Sequence, residues 1–237
     1  MKNLIIAIDG PSGAGKSTLS KALATALGYV NIDTGAMYRS VAWLAHLQHI
    51  DPADTVSLGE LCSRLTIEFR HDNGVDMVIA SGIDVTTEIR TPEASLLTPK
   101  VAAQPIVREA MVRLQRKMGA TGGVVLEGRD IGTVVFPHAE VKFYLSASAA
   151  ERGKRRYEEL QAKGIAVGLE QTISDVEDRD RADSEREHAP LTQAVDAVLI
   201  NSTDLSIDEV LNEMLAVVKK RLKSDYRDPF VRLSKVD

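Results

Sequence analysis

The sequence lacks several features that would place it in common classes of protein. It has one cysteine, Cys62, which excludes an intramolecular disulfide framework and a zinc site of the multi-cysteine type. Its formal net charge is −5, so a general nucleic-acid or membrane-surface binder is not expected. Its first apolar run, which ends before Asp9, is too short for a signal peptide, and no later run approaches the roughly 18 residues of a membrane span. We expect a cytoplasmic protein that binds neither nucleic acid nor membrane.

The residues from Gly10 to Ser17 fill every fixed position of the phosphate-binding pattern GxxxxGK[ST]. An apolar run precedes them, and apolar residues at helical spacing follow as far as Gly28, so the order is strand, loop, helix. We expect Lys16 to reach the β and γ phosphates of a nucleotide and Ser17 to hold Mg²⁺. A glycine-rich turn that contains a lysine by chance is the alternative. The predicted nucleotide-binding residues of this loop are Gly10, Pro11, Ser12, Gly13, Ala14, Gly15, Lys16, Ser17 and Thr18.

The order of strand, turn and helix recurs along the chain. Apolar segments at 29–32, 123–126, 141–145 and 197–200 join the first run as predicted strands, with helices between them. Such alternation favours a parallel sheet that is covered by helices on both sides. With 237 residues and 44% hydrophobic content, the chain is long enough for one α/β unit with additions.

One segment departs from this alternation. Residues 66–69, 75–80 and 83–86 predict three strands, joined by the hairpin signals Asn73-Gly74 and Ser81-Gly82. A helix is expected to open at Pro92, and Pro99 is expected to break it. We interpret 53–97 as an insertion that contains a small antiparallel sheet.

Polar residues follow two of the predicted parallel strands, at the edge where ligands of such sheets bind. Thr34, Tyr38 and Arg39 follow the second strand, and Arg129 and Asp130 follow the third. In the alternative interpretation, Thr34 caps a helix, Tyr38 is a partly buried ring and Arg39 is a solvated charge. Arg129 and Asp130 would then form a structural ion pair.

A highly charged region follows the fourth strand. Its second half presents Arg179, Asp183 and Arg186 at spacings of four and three residues, which would place all three on one helical stripe suited to a phosphorylated sugar. A solvated helical face laced by ion pairs is the alternative. A weakly packed helical pair beside a phosphate loop would also suit a lid that closes over a nucleotide.

Several of these segments together resemble the bacterial cytidylate kinases, which are P-loop nucleoside monophosphate kinases. The resemblance covers essentially the whole chain and rests on residues 9–17, 33–39, 101–102 with 107–109, 127–137 and 179–191. It implies a P-loop NTPase three-layer α/β sandwich with a five-stranded parallel sheet, an inserted antiparallel-sheet region that binds the monophosphate, and a helical lid. It also implies transfer of the γ-phosphoryl group of ATP to CMP or dCMP, with Mg²⁺, to give ADP and CDP or dCDP.

The resemblance assigns roles to individual residues. The implied catalytic residues are Lys16, Arg129, Arg155, Arg156 and Arg179. The implied substrate-binding residues are Thr34, Tyr38, Arg39, Thr98, Arg108, Arg129, Asp130, Arg179, Asp183 and Arg186. Arg155 and Ser202 are expected on the ATP side. The predicted regions are a core at 1–52, 98–147 and 190–237, the insertion at 53–97 and a lid at 148–189, in a monomer.

Two positions depart from the pattern of the family. Pro99 stands where a serine that touches the base is usual, so Thr98 or a backbone group must take over that contact, and Asn201 stands where an aspartate is common. Two other functions stay open from the residues alone. One is a P-loop kinase of another small acceptor, and the other is a non-enzymatic nucleotide-binding switch, which would turn over slowly whatever monophosphate is present.

Overall fold

The computed structural model describes residues 3–72 and 75–227, which form a three-layer α/β sandwich with a second, smaller sheet. The elements are β1 (Ile5–Asp9), α1 (Lys16–Leu27), β2 (Val30–Asp33), α2 (Thr34–Leu47), α3 (Thr55–Arg64), β3 (Ile67–Asp72), β4 (Val75–Ala80), β5 (Ile83–Asp84), a 3₁₀ turn (Glu88–Arg90), α4 (Pro92–Ala102), α5 (Pro105–Gly119), β6 (Val124–Gly128), a π-helical turn (Ile131–Val135), β7 (Val141–Ser146), α6 (Ala149–Ala162), α7 (Leu169–Glu185), β8 (Val198–Asn201) and α8 (Ile207–Arg227). Among the described residues, no helix combines the length and apolar character needed to cross a membrane.

The main sheet has the strand order β2-β6-β1-β7-β8, and all its strands are parallel, which confirms the predicted fold class. The register pairs Asp9 at the end of β1 with Gly128 at the end of β6, and Asp33 at the end of β2 with Glu127. The phosphate loop, the start of α2 and the Arg129-Asp130 segment therefore meet at one edge of the sheet. Proteins with a parallel α/β sheet bind ligands at this edge, at the point where the strand order reverses.

Side chains of the strands alternate between two apolar layers. On one face, Ile6 and Ile8 belong to a buried cluster with residues of α1 and α8, and on the other, Ala7 belongs to a cluster with residues of α2 and α5. Val210, Met214 and Val218 of α8 are buried. Ile207 is 41% exposed, since as the first residue of α8 it lies at the end of the packed stripe.

The insertion contains the predicted antiparallel sheet, in the order β3-β4-β5, although its third strand is only two residues long. The turn predicted at Asn73-Gly74 lies outside the described residues. The expectation that Pro99 breaks a helix is wrong, because α4 runs through it to Ala102. Proline lacks an N–H, so the Ser95 carbonyl one turn earlier loses its helical partner, but Ser95 is exposed to water. Val101, in the helical turn that follows Pro99, is buried and packs the end of α4 onto the core. The predicted boundary at residue 97 falls inside α4.

The two helices of the charged region, α6 and α7, pack against each other at Gly153, where a Cβ atom would collide with Ile173. Ser148 caps α6 by accepting from the Glu151 amide at 3.2 Å, while the Glu151 carboxylate accepts from Arg155 at 3.0 Å. Helix α7 ends at Glu185, and Arg186 is extended, with φ −63° and ψ 141°. The predicted single helical stripe of Arg179, Asp183 and Arg186 is therefore wrong for Arg186.

Candidate active site

The phosphate loop connects β1 to α1 by a backbone path that depends on glycine. Gly10 lies so close to β7 that a Cβ atom would collide with the Leu145 carbonyl oxygen, and Gly15 has φ 86° immediately before α1. An L-residue with a side chain is strained in the left-handed region, so glycine suits this last loop position. The N-terminus of α1, which lacks a side-chain cap, opens toward the loop. Free backbone amides and the helix dipole make this a site for phosphate.

Lys16 is buried at the start of α1. It is only 5% exposed, and its Nζ atom donates to the Pro11 carbonyl at 2.5 Å. Burial, Arg129 and Arg179 together lower the pKa of the Lys16 ammonium to about 7, against the opposing effect of the Glu127 and Asp9 carboxylates. The ammonium therefore lies in a buried pocket that it shares with charges of both signs.

Ser17 donates a short hydrogen bond from its hydroxyl to the carboxylate of Glu127 at the end of β6. Glu127 is 5% exposed, and burial together with the neighbouring Asp33 raises the pKa of its carboxyl group. A hydroxyl and a carboxylate are hard oxygen donors of the kind that Mg²⁺ prefers. Among residues 3–72 and 75–227, no cluster of three or more His, Cys, Asp or Glu side chains could hold a metal by itself. These residues therefore fit an ion that arrives with nucleotide phosphates.

Arg155 and Ser202, which were predicted on the ATP side, contact each other, whereas the neighbouring Arg156 lies elsewhere. Arg155 donates to the Ser202 carbonyl at 2.6 Å and to the Ser202 hydroxyl at 3.1 Å. That hydroxyl lies 3.5 Å from the Ala14 carbonyl, so Arg155 and Ser202 border the phosphate loop. Arg156 instead pairs with Glu159 at 2.8 Å on the exposed side of α6. Its predicted role at the transferred phosphate remains a prediction.

A buried ion pair forms the centre of the predicted acceptor side. Arg108 of α5 donates a short hydrogen bond to Asp130, and both side chains are 8% exposed. Arg186 reaches the other oxygen of Asp130 at 4.0 Å from across the site. The Arg108 guanidinium also lies 5.7 Å from the centroid of the Tyr38 ring, whose pKa is raised by burial to about 12. The four residues come from four separate segments of the chain.

A second ion pair connects the Arg129-Asp130 segment to α7. Arg129 donates through Nε to Asp183 at 2.7 Å, and Arg186 lies 3.7 Å from the same carboxylate. Although burial would raise the pKa of Asp183, the charge of Arg129 holds it below its usual range. Asp183 is thus shared between two arginines, while Arg129 also faces Lys16.

The remaining predicted acceptor residues lie at the start of α2 and in α4. Thr34 donates to the Glu127 carbonyl at 2.6 Å, and Arg39 pairs with Asp33 at 3.2 Å. The Thr98 hydroxyl donates to Ala94 at 2.6 Å within its own helix. Two buried guanidinium nitrogens, Nε of Arg39 and Nη2 of Arg186, have no hydrogen-bond partner. Buried donors of this kind are costly unless a ligand accepts from them.

Helices α6 and α7 contact the phosphate loop directly through residues that were not predicted at the site. The Ser12 amide donates to Asp180 of α7 at 3.1 Å, and Arg152 of α6 donates to the Ser12 carbonyl at 3.0 Å while it also pairs with Asp180. Arg152 is 6% exposed. The sequence shows Arg152 in a basic run with few apolar residues, but nothing in that run indicates that Arg152, rather than a neighbouring basic residue, contacts the phosphate loop.

Three other carboxylates were also not assigned to the site. Asp9 accepts from the amides of Ile131 and Gly132, Asp33 caps α2, and Glu127 binds Ser17. Each is the last or next-to-last residue of a parallel strand. That position was the signal that could have identified them, since the ends of parallel strands converge at the ligand-binding edge.

Comparison with known proteins supports one family. The cytidylate kinase family profile matches residues 6–220. A cytidylate kinase from Syntrophotalea carbinolica is 62% identical over 93% of this chain and 94% of its own length, and one from Geobacter sulfurreducens is 58% identical over 93% and 94%. A cytidylate kinase from Caldicellulosiruptor bescii is 45% identical over 95% of this chain and 100% of its own length. The family profile and these relatives show that the chain belongs to the cytidylate kinase family.

Proposed function

We propose that this protein transfers the γ-phosphoryl group of ATP to CMP and dCMP. The observation that carries the proposal is the convergence of Lys16, Arg129 and Arg179 between the phosphate loop and the acceptor-side ion pairs. Burial and, after it, the charges of Arg129 and Arg179 depress the pKa of Lys16, so an anion bound among these three cations would be strongly stabilised. Membership of the cytidylate kinase family supports the same conclusion. Family membership supports neither a kinase of another small acceptor nor a nucleotide-binding switch.

The proposed reaction needs alignment and charge neutralisation more than covalent help. A monophosphate oxygen is already largely ionised near neutral pH and can attack without a general base, so the protein must bring two mutually repelling anions into line. Amides of the phosphate loop and Lys16 would hold the ATP phosphates. Arg129 and Arg179 would stabilise the charge that spreads over the transferred group, because arginine fits phosphate oxygens with paired donors.

Mg²⁺ belongs to this proposal. Ser17 and Glu127 would hold it, Ser17 directly and Glu127 through the contact that it now makes with the Ser17 hydroxyl. When bound, the ion neutralises charge on the β and γ phosphates. Exclusion of water falls to α6 and α7, whose Asp180 and Arg152 already contact the loop at Ser12.

The choice of base is assigned to Asp130. Its carboxylate can accept from the exocyclic amino group of cytosine, whereas uracil would present carbonyl lone pairs in the same place. Arg108 holds this carboxylate from one side, and the unpartnered Nη2 of Arg186 is near it. A buried acceptor left unpaired by the wrong base is expensive, and this makes discrimination between the two pyrimidines strong.

A coupled assay of ADP release tests the function. ATP with CMP or dCMP is expected to give rapid turnover, UMP slower turnover, and AMP or GMP little, with CDP or dCDP identified as the product. Lys16→Met, purified in the same way, controls for contaminating kinases. ATP hydrolysis that no monophosphate accelerates would contradict the proposal, as would faster use of an unphosphorylated acceptor. Removal of Mg²⁺ by a chelator is expected to stop the reaction, and gel filtration tests the predicted monomer.

A further inference from the structure

The turn that follows Arg129-Asp130 is capped from a distant part of the chain. Asp130 occupies the N-cap position of the π-helical turn Ile131–Val135, but its side chain makes no capping hydrogen bond. The first two amides of the turn donate to Asp9 at the end of β1, from Ile131 to Oδ1 at 2.8 Å and from Gly132 to Oδ2 at 2.7 Å. Both oxygens of Asp9 are therefore engaged in capping a turn that lies 122 residues further along the chain.

This arrangement decides where the Asp130 carboxylate points. An aspartate at an N-cap ordinarily turns its side chain onto the first free amides of its own helix. Asp9 already occupies those amides, so the Asp130 carboxylate is available for Arg108 and lies 4.0 Å from Arg186. Without Asp9, the unpaired amides and the adjacent carboxylate of Asp130 would attract each other.

The setting of Asp9 fits a fixed support. Its side chain is almost completely buried, since the residue is 3% exposed, and the register places it beside Gly128 of β6. Burial raises its pKa to about 6, against the opposing effect of the two amides and Lys16. Asp9 also immediately precedes Gly10, so one residue joins the phosphate loop to the acceptor-side turn.

We propose that Asp9 is a positioning residue of the acceptor site, which caps the turn after Asp130 so that the Asp130 carboxylate stays directed at Arg108 and the acceptor base. The proposal rests on the proposed function for its kinetic consequence but not for its structural one. It adds a link between the donor and acceptor sides that involves no contact with either nucleotide.

Steady-state kinetics of Asp9→Asn test the consequence. Asparagine keeps one acceptor but turns an amide donor toward the Gly132 N–H, which weakens the cap without changing the size of the side chain. We expect KM for CMP to rise roughly tenfold, the scale of one mismatched buried polar group, while KM for ATP changes less than about twofold. Glu140→Gln is the matched control, because its carboxylate accepts from the Ile5 amide at 2.9 Å at the opposite end of β1. Both KM values should be unchanged in that variant.

A double-mutant cycle with Asp130→Asn separates positioning from general support. If Asp9 acts through the Asp130 carboxylate, Asp9→Asn should raise KM for CMP very little once that carboxylate is gone. Fully additive effects would overturn the proposal, as would an equal rise of both KM values or no rise at all. Thermal melting of each variant, compared with the wild type, shows whether it is folded.

A crystal structure of Asp9→Ala gives a readout that does not depend on the reaction. The Asp130 carboxylate is expected to leave Arg108 and accept from the amides of Ile131 and Gly132. An Asp130–Arg108 pair that stays unchanged in this variant would refute the positioning role even if the wild-type enzyme phosphorylates CMP. Conversely, a wild-type enzyme without activity on CMP would refute the proposed function and leave this structural result intact.

Discussion

The proposed donor and acceptor sides of the site are built in opposite ways. The proposed donor side is a contiguous loop, residues 10–17, which offers backbone amides, Lys16 and Ser17. The proposed acceptor side gathers side chains from α2, α5, the segment after β6, and the end of α7, and it is held by the ion pairs Arg108–Asp130 and Arg129–Asp183. In the proposed function, the donor side recognises phosphate, which is common to all nucleotides, whereas the acceptor side must also distinguish a base.

The difference shows which parts of such an enzyme a local pattern can specify. A loop of small residues before a helix forms an anion site wherever it occurs, because its donors are backbone groups. A site that reads one base needs carboxylates and guanidinium groups buried together, and their charges are tolerable only when each is paired. Substitutions on the two sides should therefore fail in different ways, which the following predictions test in order of expected effect.

Lys16→Met should have the largest effect and should fall on the chemical step. Removing the ammonium is expected to lower kcat on the order of 10³-fold or more, because one charge-stabilising group at the transferred phosphate is lost, while KM for CMP changes little. Stopped-flow or coupled kinetics at saturating CMP measure this. Lys21→Met is the matched control, since Lys21 lies on the same helix with its side chain 46% exposed. Near-normal kcat in Lys16→Met would contradict the donor assignment.

Asp130→Asn should change selectivity more than it changes chemistry. We expect the ratio of kcat/KM for CMP to that for UMP to fall by roughly 5- to 150-fold, the factor that corresponds to about 1 to 3 kcal/mol for an unpaired buried polar group. The measurement is kcat/KM for both nucleotides in wild type and variant. If activity on CMP falls but the ratio does not move, Asp130 supports the fold of the segment and does not read the base.

Asp180→Ala should change the affinity for ATP. The Asp180 carboxylate of α7 accepts from the Ser12 amide, a donor that the phosphate loop would otherwise offer to phosphate. Removing that competitor is expected to tighten ATP binding about threefold to tenfold, by the scale of one net hydrogen bond, and to increase proteolysis within 148–189. Titration calorimetry and limited proteolysis measure the two effects. Asp178→Ala, on the exposed side of the same helix, should leave both unchanged. Weaker ATP binding in Asp180→Ala would mean that this carboxylate supports the bound state.

The smallest expected effect is one of stability. The pKa of Lys16 is about 7 in the folded protein and 10.5 in its ordinary state, so between these values the unfolded chain holds more protons. Wild-type stability should therefore rise with pH across this window, and Lys16→Met should lack that dependence. We expect the variant to melt a few degrees higher near pH 7, with the difference shrinking toward pH 10. Melting curves at several pH values test this, and Lys21→Met should parallel the wild type.

Much of the architecture could be predicted from the residues in order. The phosphate loop, the five parallel strands and the inserted antiparallel sheet each produce a local signal, either a glycine pattern or a run of apolar residues with turn residues at its ends. Local signals were less useful where neighbours override them. Pro99 is the clearest case, because α4 continues past a residue that usually ends a helix.

The sequence by itself therefore determined the class of fold and the phosphate-loop pattern, and it predicted most of the charged residues that the structure brings together beside that loop. Only the tertiary structure decided how those charges are partnered. It buried Lys16 beside Arg129, joined Arg108 to Asp130, placed Asp180 of α7 against Ser12, and capped the turn after Asp130 with Asp9. A charged side chain has no periodicity that reveals its partner, and these partners are brought together by strand register and helix packing rather than by nearness along the chain.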